Sequence, residues 1–430
     1  MTEFLKTLLI FLLTLSMILL TVCFFVVTVV SDALSLRDLL YEVGVSSPIE
    51  MSKKDPDRQE LESASSPCQI AFVSGMGQLY MPLSPQEYLD SLDSTQQFLE
   101  EALGSCYGYS ESSEMNYLLS LLDKGILCVY DYPVPFYALC RWAGANYTGA
   151  DISVSSMFVC ARDGAVDLYI KAAGGTYHQF QTRAGVSFIE RVCANSSPNG
   201  VISAMTNSRN TADDVPILSG GISLPAYSVA SGYSLDDGEV SRRAMSALGI
   251  NPYLVSVYRD GDTTVYIEDD SRLHLYPDRH LTYSVAGEGG ISLSIPTDAN
   301  DRDALLHIIE GVRGIIFPLW EDLSSAITRL SLSEIIAEDD GVYTLCFEAY
   351  IGGCFISRGD SCSAAARVED GRLTALSVHP LLLHRVSDVS VLPYAQAQAA
   401  ARDKAVLRLQ YVMDGSGTLT PILADVKEAE

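Results

Sequence analysis

The sequence predicts an α+β protein, with an N-terminal transmembrane helix followed by two or three modules of antiparallel sheet packed on helices. Three observations carry this reading. From Thr7 to Ser31 the chain holds no charged residue, and at 1.5 Å rise per residue such a run spans a hydrocarbon core of about 30 Å with some tilt. Beyond it, capped stretches with apolar residues three and four apart alternate with β-branched and aromatic stretches of period two. Asp-Gly pairs, the residues of tight hairpins, join several of the period-two stretches. Hydrophobic residues make up 48% of the 430, enough to form folded cores along most of the chain.

The apolar run is too long for the core of a cleaved signal peptide, and only the weak "SDALS" after it could serve as a cleavage site. It is therefore expected to stay as an anchor, residues 1–31. No second run of this length occurs, so the chain is expected to cross once. Lys6 and the α-amine precede the span, Glu3 partly offsets them, and Arg37 lies just beyond it, so the charge rule for orientation is nearly silent. An anchor this close to the start usually exports the chain behind it. The body is expected outside the cell membrane, with the N-terminus cytoplasmic. Thr14, Ser16, Thr21 and Thr28 are the small polar residues of the span and the candidate face for packing against another helix.

Residues 32–66 read as a juxtamembrane linker, polar and punctuated by proline. A first α+β domain is expected over 67–225. In it "SPQEYLDSLDSTQQFLEEAL" opens with Ser84 as N-cap, Pro85 in the first turn and Glu87 completing a capping box. Leu89, Leu92, Leu99 and Leu103 are expected to share its buried face. "SSEMNYLLSLLDKG" reads as a second helix ending at Gly125, "ILCVYDY" as a strand, and "SVSSMFVCA" and "AVDLYIKA" as a hairpin about Asp163-Gly164. A middle helix-plus-meander module is expected over 226–297: a helix "GEVSRRAMSAL" capped by Asp237, then a hairpin about Asp260-Gly261, then three further strands. A C-terminal module is expected over 298–424. It opens with a helix "RDALLHIIEGVRGII" capped by Asn300 or Asp301, with Leu305, Ile308, Ile309, Val312, Ile315 and Ile316 on one face. Strands come next, with a turn at Asp370-Gly371, then a helix over "PYAQAQAAARDKAVLRLQYV" and a last strand "LTPILADV".

The search for chemistry yields little. A formal net charge of −26 argues against binding nucleic-acid phosphates or anionic membrane surfaces. "SVAGEGGISLSI" holds a glycine cluster, but a phosphate loop needs a helix N-terminus and usually a lysine. A strand comes after it here instead, and Glu288 sits within the loop, so a bend is expected. No nucleophile elbow, zinc-protease or S-x-x-K motif is present. His274 and His280 flank "LYPDR" close to Asp278, but three metal ligands cannot be assembled from them, and they read as exposed strand-edge residues. Glu268-Asp269-Asp270 and Glu338-Asp339-Asp340-Gly341 lack the ligand order of a calcium loop and read as acidic turns. No catalytic residue, cofactor or metal is assigned. Of ten cysteines, Cys23 lies in the apolar run and an odd number remains. Those in "GILCVY", "MFVCA" and "TLCFEAY" read as small buried hydrophobes, and disulfide connectivity is left open.

Two segments carry a resemblance. "GVYTLCFEAYIGGCFI" (341–356) is similar to a strand–turn–strand hairpin of the YycH/YycI family, with Gly353-Cys354 where that family often has proline. "LQYVMDGSGTLTPILADV" (409–426) is similar to its closing strand, with Ile422 or Leu423 where an aromatic is common. The single anchor and α+β body fit the same layout. The resemblance implies a non-enzymatic, membrane-anchored, extracytoplasmic regulator of a Gram-positive two-component sensor histidine kinase that controls cell-wall metabolism. It implies as partners that kinase and a paralogous regulator, met through the span and the outer domains. The competing reading is an envelope structural or assembly protein that binds wall polymer or exported partners.

Overall fold

A computed structural model describes residues 67–425, except 76–77, 144, 146, 148, 200, 204–215, 219–220, 231–237, 288, 298, 300, 340, 359–360, 401–406 and 416. The anchor, the linker and the caps expected at Asp237 and Asn300 lie outside these residues. Two large, mainly antiparallel sheets and seven helices make up the described part, a mixed α+β architecture.

The first sheet is built from Gln69–Gly75 (β1), Gln78–Tyr80 (β2), Tyr107–Ser112 (β3), Lys124–Pro135 (β4), Ser153–Arg162 (β5), Ala165–Ala172 (β6), Tyr177–Gln181 (β7), Val201–Ser203 (β8) and Pro216–Leu218 (β9). Its order is β3-β7-β6-β5-β4-β1-β2-β8-β9. The β5–β6 hairpin closes at Asp163 and Gly164, both at positive φ (51° and 79°), as a two-residue turn of that sequence should. Helix α1, Pro85–Gly104, starts as expected, with a complete capping box between Ser84 and Glu87. Its buried face is Tyr88, Thr95, Phe98, Leu99, Ala102 and Leu103. Leu89 is exposed instead, because the aromatics Tyr88 and Phe98 rotate the face that meets the sheet. Helix α2 is shorter than expected, Glu114–Ser120 with Ser113 as its cap. Gly125 does not end it but lies in β4, where an added Cβ would come within 2.5 Å of the Val159 carbonyl and the Phe158 ring. Strand pairing with β5 claims Lys124 and Gly125 before the helix can reach them. Helices α3, Phe136–Trp142, and α4, Val186–Asn195, complete this half.

The second sheet has 14 strands: Ile222–Val229 (β10), Ser256–Asp260 (β11), Thr263–Glu268 (β12), Ser271–Leu275 (β13), Leu281–Val285 (β14), Ile291–Ser292 (β15), Thr328–Asp339 (β16), Val342–Ile351 (β17), Cys354–Ser357 (β18), Ala364–Glu369 (β19), Arg372–Val378 (β20), Leu383–Val391 (β21), Leu407–Met413 (β22) and Thr418–Asp425 (β23). The order runs β11-β12-β13-β14-β20-β19-β17-β18-β22-β23-β10-β21, with β15 added to β20 and β16 to β17. Strands of the expected middle module (β11 to β15) and of the expected C-terminal module (β16 to β23) are thus hydrogen-bonded into one sheet, joined where β14 meets β20. The 225/226 division falls inside β10, which pairs with β21 and β23.

Several local expectations shift. Asp260 pairs with Thr263, so the turn is Gly261-Asp262, with Gly261 at φ 59°. The expected bend is present at Ala286 and Gly287, but it does not close a hairpin. β14 and β15 lie along the same edge of β20, and the chain swings out between them. Gly290 (φ 125°) returns it so close to β20 that a Cβ would meet the Leu373 carbonyl at 2.8 Å. Helix α5, Gly238–Ala247, stops at Gly249 (φ 67°), where the Ile250 N–H donates to the Met245 carbonyl. Helix α6, Asp301–Leu323, runs beyond its expected end and through Pro318. Burial of Leu319, Trp320 and Leu323 sustains it past the bond that proline removes. Within the helix expected over 393–412, Tyr394–Ala400 is helical (α7) and the residues from Leu407 on are not. Leu407, Leu409 and Tyr411 alternate into the core, and this period of two makes the segment strand β22.

One buried cluster joins the two sheets: Ala71, Val73, Leu79 and Leu83 of the first half share it with Ile351, Cys354 and Ile356 of the second. The β17–β18 turn is pressed into this junction. Gly352 (φ 60°) would place a Cβ 3.0 Å from the Leu83 carbonyl, and Gln69 Nε2 donates to the Gly353 carbonyl at 3.0 Å. Arg329 of β16 crosses in the other direction. Its Nη2 donates to the Pro67 and Cys68 carbonyls at 2.6 and 2.8 Å, and its guanidinium lies 4.1 Å from the centre of the Tyr88 ring.

Candidate functional site

The residues expected to meet a partner within the membrane, Thr14, Ser16, Thr21 and Thr28, lie outside the described residues, as does Cys23. Among the described residues no helix is long and apolar enough to cross a membrane.

Among the described residues the fold assembles a polar cluster at a corner where β14 meets β20. Leu281 pairs with Val378, so the residues flanking that pair, His280 and His379, fall side by side. Their rings stack with centroids 3.9 Å apart, and Tyr276 stacks on His280 at 4.8 Å. Ser377 Oγ bridges the two ring edges, 3.0 Å from His280 Nε2 and 3.3 Å from His379 Nε2. Asp278 Oδ1 accepts the main-chain N–H of His280 at 3.1 Å. Arg358 Nη1 donates to the His379 carbonyl at 2.8 Å, and the His379 N–H donates to the Ser363 carbonyl at 2.9 Å. His274 stacks on Tyr276 at 6.1 Å. The expectation of exposed strand-edge histidines is corrected for His274 and His280: both are half-buried, and stacking on neighbouring rings is the reason. Nothing in the sequence singles out His379, and only the β14–β20 register brings it here.

Burial lowers the pKa of His280, with Arg358 adding to the effect and Asp278 opposing it. His379 falls to about 4, first through burial, then through the neighbouring His280 and the Arg358 cation, with Asp278 again opposing. Both rings are neutral near pH 7. This is not the arrangement of an activated serine. The Ser377 hydroxyl is shared between two weakly basic rings, and Asp278 accepts the main-chain N–H of His280. Chemically the corner is a clasp that binds the start of β14 to the end of β20 while its rings are neutral.

Of the two acidic runs expected as turns, Glu268-Asp269-Asp270 makes one, whereas Glu338 and Asp339 lie in strand β16, paired with β17. Asp269 (φ 50°) lies in the turn between β12 and β13, whose closing pair is Glu268 and Ser271. Glu338 takes bonds from Arg367 Nη1 at 2.6 Å and Thr344 Oγ1 at 2.8 Å. No group of three or more metal-ligating side chains stands together among the described residues.

The surfaces that could receive a macromolecule are the sheet ends. β11 ends the strand order of the second sheet and all five of its residues are exposed. Just before it, Tyr253 and Leu254 are 91% and 71% exposed. β3 ends the first sheet with Tyr107 and Tyr109 exposed, and β21 ends the second at its other side with Val386 exposed. Terminal strands with apolar and aromatic side chains are surfaces on which a partner can add by main-chain pairing.

Two large sheets joined through one core, with a polar clasp and open edges, define a two-sheet α+β scaffold. No family model matches the chain, and no curated protein matches it. Among solved structures it is similar to the crystal structure of YycH from Bacillus subtilis, with a TM-score of 0.55 at 10% identity, over 85% of this chain and 94% of that one. The chain has the YycH fold. An uncharacterized protein from Eubacterium rectale also aligns, at a TM-score of 0.30 and 11% identity, over 52% of this chain and 83% of that one. The two segments that carry the sequence resemblance, β17–β18 and β22–β23, are neighbours in the sheet, where β18 pairs in parallel with β22.

Proposed function

We propose that the protein is a non-enzymatic regulator of a membrane sensor histidine kinase, anchored by residues 7–31 with its α+β body outside. The single observation that carries this reading is the YycH fold over 85% of the chain, and the open sheet ends are consistent with work done by protein contact. In this reading the small polar face of Thr14, Ser16, Thr21 and Thr28 meets the kinase helices, and the terminal strands meet outer domains, including a paralogous regulator. The output is control of cell-wall metabolism. The test is crosslinking of the full-length protein in its native membrane, then mass spectrometry of the products. A histidine kinase captured through residues 7–31 is the expected result, and exchange of residues 1–31 for an unrelated anchor should then abolish regulation. Recovery of wall-assembly proteins without a kinase would overturn the reading in favour of an envelope assembly role.

A further inference from the structure

The apolar core of the second sheet runs out at β11. Paired residues carry one row of side chains across the strands, Leu376, Tyr283, Leu273, Tyr266 and Val257, and directly opposite residues share a face. Leu376, Tyr283 and Leu273 are buried, Tyr266 is half-buried, and Val257 is 56% exposed. The row therefore ends one strand beyond the packed part of the core. On the other face the exposed Tyr258 stands opposite the buried Val265. Tyr253 and Leu254, also exposed, extend the apolar run ahead of the strand.

The edge is regular and held in place. β11 pairs with β12 over all five of its residues without a register shift. The terminal strands β3 and β21 are blunted instead. The β3–β7 ladder shifts between Tyr107 and Ser110, the β10–β21 ladder shifts between Ala226 and Tyr227, and β21 carries Arg385 and Asp388. Such irregularities and charges protect an edge from pairing, and β11 carries charge only at its last two residues, Arg259 and Asp260. The approach to β11 is fixed where the Asn251 N–H donates to Glu268 Oε2 at 2.9 Å and the Tyr253 N–H donates to Asn251 Oδ1 at 3.0 Å. An added strand meets an edge that is already formed.

Charge decides which strand fits. Residues 256–275 hold five carboxylates against two arginines. Asp260 and Asp262 stand at one end of β11, and Glu268, Asp269 and Asp270 at the other. A second copy pairing antiparallel about a two-fold axis would set the 260–262 turn of one chain beside the 269–270 turn of the other. Like charges oppose that arrangement, whereas a strand with basic ends meets opposite charge at both.

We propose that β11 receives an extended segment of another protein, apolar in its centre and flanked at both ends by Lys or Arg, which joins the sheet by main-chain pairing. Its central side chains continue the rows that end at Val257 and Tyr258, and its basic ends lie against the two acidic turns. The proposal rests on the reading that this protein works by protein contact, and it names the surface and the partner's chemistry without requiring a kinase.

The test uses the full-length protein and a fluorescein-labelled peptide, Lys-Lys-Thr-Val-Tyr-Val-Thr-Lys-Lys. One control peptide has glutamate for every lysine, and a second has proline for the central tyrosine, which blocks strand pairing. Fluorescence anisotropy reads binding, and hydrogen exchange with mass spectrometry locates it. The lysine peptide should bind saturably, weaken as salt rises and slow exchange at residues 256–260, with both controls weaker by about tenfold or more. Val257→Lys, with its circular dichroism unchanged, should lower affinity about tenfold. Asp269→Asn combined with Asp270→Asn, on an exposed turn, should lower it less and flatten the salt dependence. The proposal is overturned if the lysine peptide does not bind, if either control binds equally well, or if exchange at 256–260 is not slowed. Slowed exchange there that depends on protein concentration alone would also overturn it, by making the occupant a second copy. Capture of a histidine kinase through residues 7–31 would stand in each of these cases, so the two readings fail separately.

Discussion

Replacing Arg329 with methionine keeps most of the stem volume and removes the forked cation at the junction of the two sheets. Two hydrogen bonds from a charged donor are lost, those to the Pro67 and Cys68 carbonyls, each worth about 1.5–3 kcal/mol. The cation–π contact with Tyr88 at 4.1 Å adds about 1 kcal/mol or somewhat more. Two effects offset these losses. The Tyr88 hydroxyl still donates to the Pro67 carbonyl at 2.7 Å, so that oxygen stays satisfied. Arg313, buried over the Phe317 ring at 4.2 Å, has its pKa drawn down to about 9, by burial first and by Arg329 second, and removal of Arg329 relieves that repulsion. The net expected loss is about 3 kcal/mol, because contacts sharing one guanidinium do not add fully. Urea unfolding of the full-length protein, monitored by far-ultraviolet circular dichroism, reads it directly. Arg329→Lys should lose less than Arg329→Met, since one nitrogen, Nη2, serves both carbonyls and an ammonium with three donors can replace it, but an ammonium cannot lay a flat cation on the Tyr88 ring. A loss below about 1 kcal/mol for Arg329→Met would mean that the packed cluster alone joins the sheets, and the reasoning would fail.

Acid should weaken the histidine corner. His379 has a pKa of about 4 when folded against 6.5 ordinarily, so below pH 6.5 the unfolded chain binds a proton that the folded one refuses. Stability then falls from pH 6.5 down to about 4 and levels off below that. The full shift corresponds to about 3 kcal/mol, and screening of a ring that still meets solvent reduces this to about 1–2 kcal/mol. The urea midpoint at pH 7 and pH 4.5 should show it, and His379→Gln should flatten that difference. Gly125→Ala forces a Cβ against the Val159 carbonyl and the Phe158 ring and should cost about 2–3 kcal/mol; a thermal midpoint unchanged from the wild type would show that β4 and β5 can part to admit it. Ser84→Ala removes the capping bond of α1 to the Glu87 N–H and should cost about 1 kcal/mol in the same assay, whereas Ser84→Asp should retain it.

Where an element's cause lies within a few residues, the chain announces it. The capping box at Ser84 and Glu87, the Asp163-Gly164 and Asp370-Gly371 turns, and Gly249 ending α5 are all local chemistry, and each appears where its residues place it. Errors arise where two local preferences compete. The stretch after Tyr394 is rich in alanine and reads as continuous helix, yet Leu407, Leu409 and Tyr411 turn to period two because β18 and β23 stand ready to pair with them. "TRLSLSEIIAED" and "LHRVSDVSV" do not stand out as strands in the sequence. Each has most of one face toward solvent and owes its strand form to a long neighbour, β17 for the first and β10 for the second.

The candidate sites divide in the same way. Composition, the uncharged run and two short motifs in β17–β18 and β22–β23 were enough to point to a YycH-like α+β body without a recognisable catalytic motif. The sequence could not bring His379 to His280 or set Ser377 within reach of both rings. That pairing arises from the register of β14 on β20. Register depends on how all the strands of a sheet share one core, a quantity that no single segment contains.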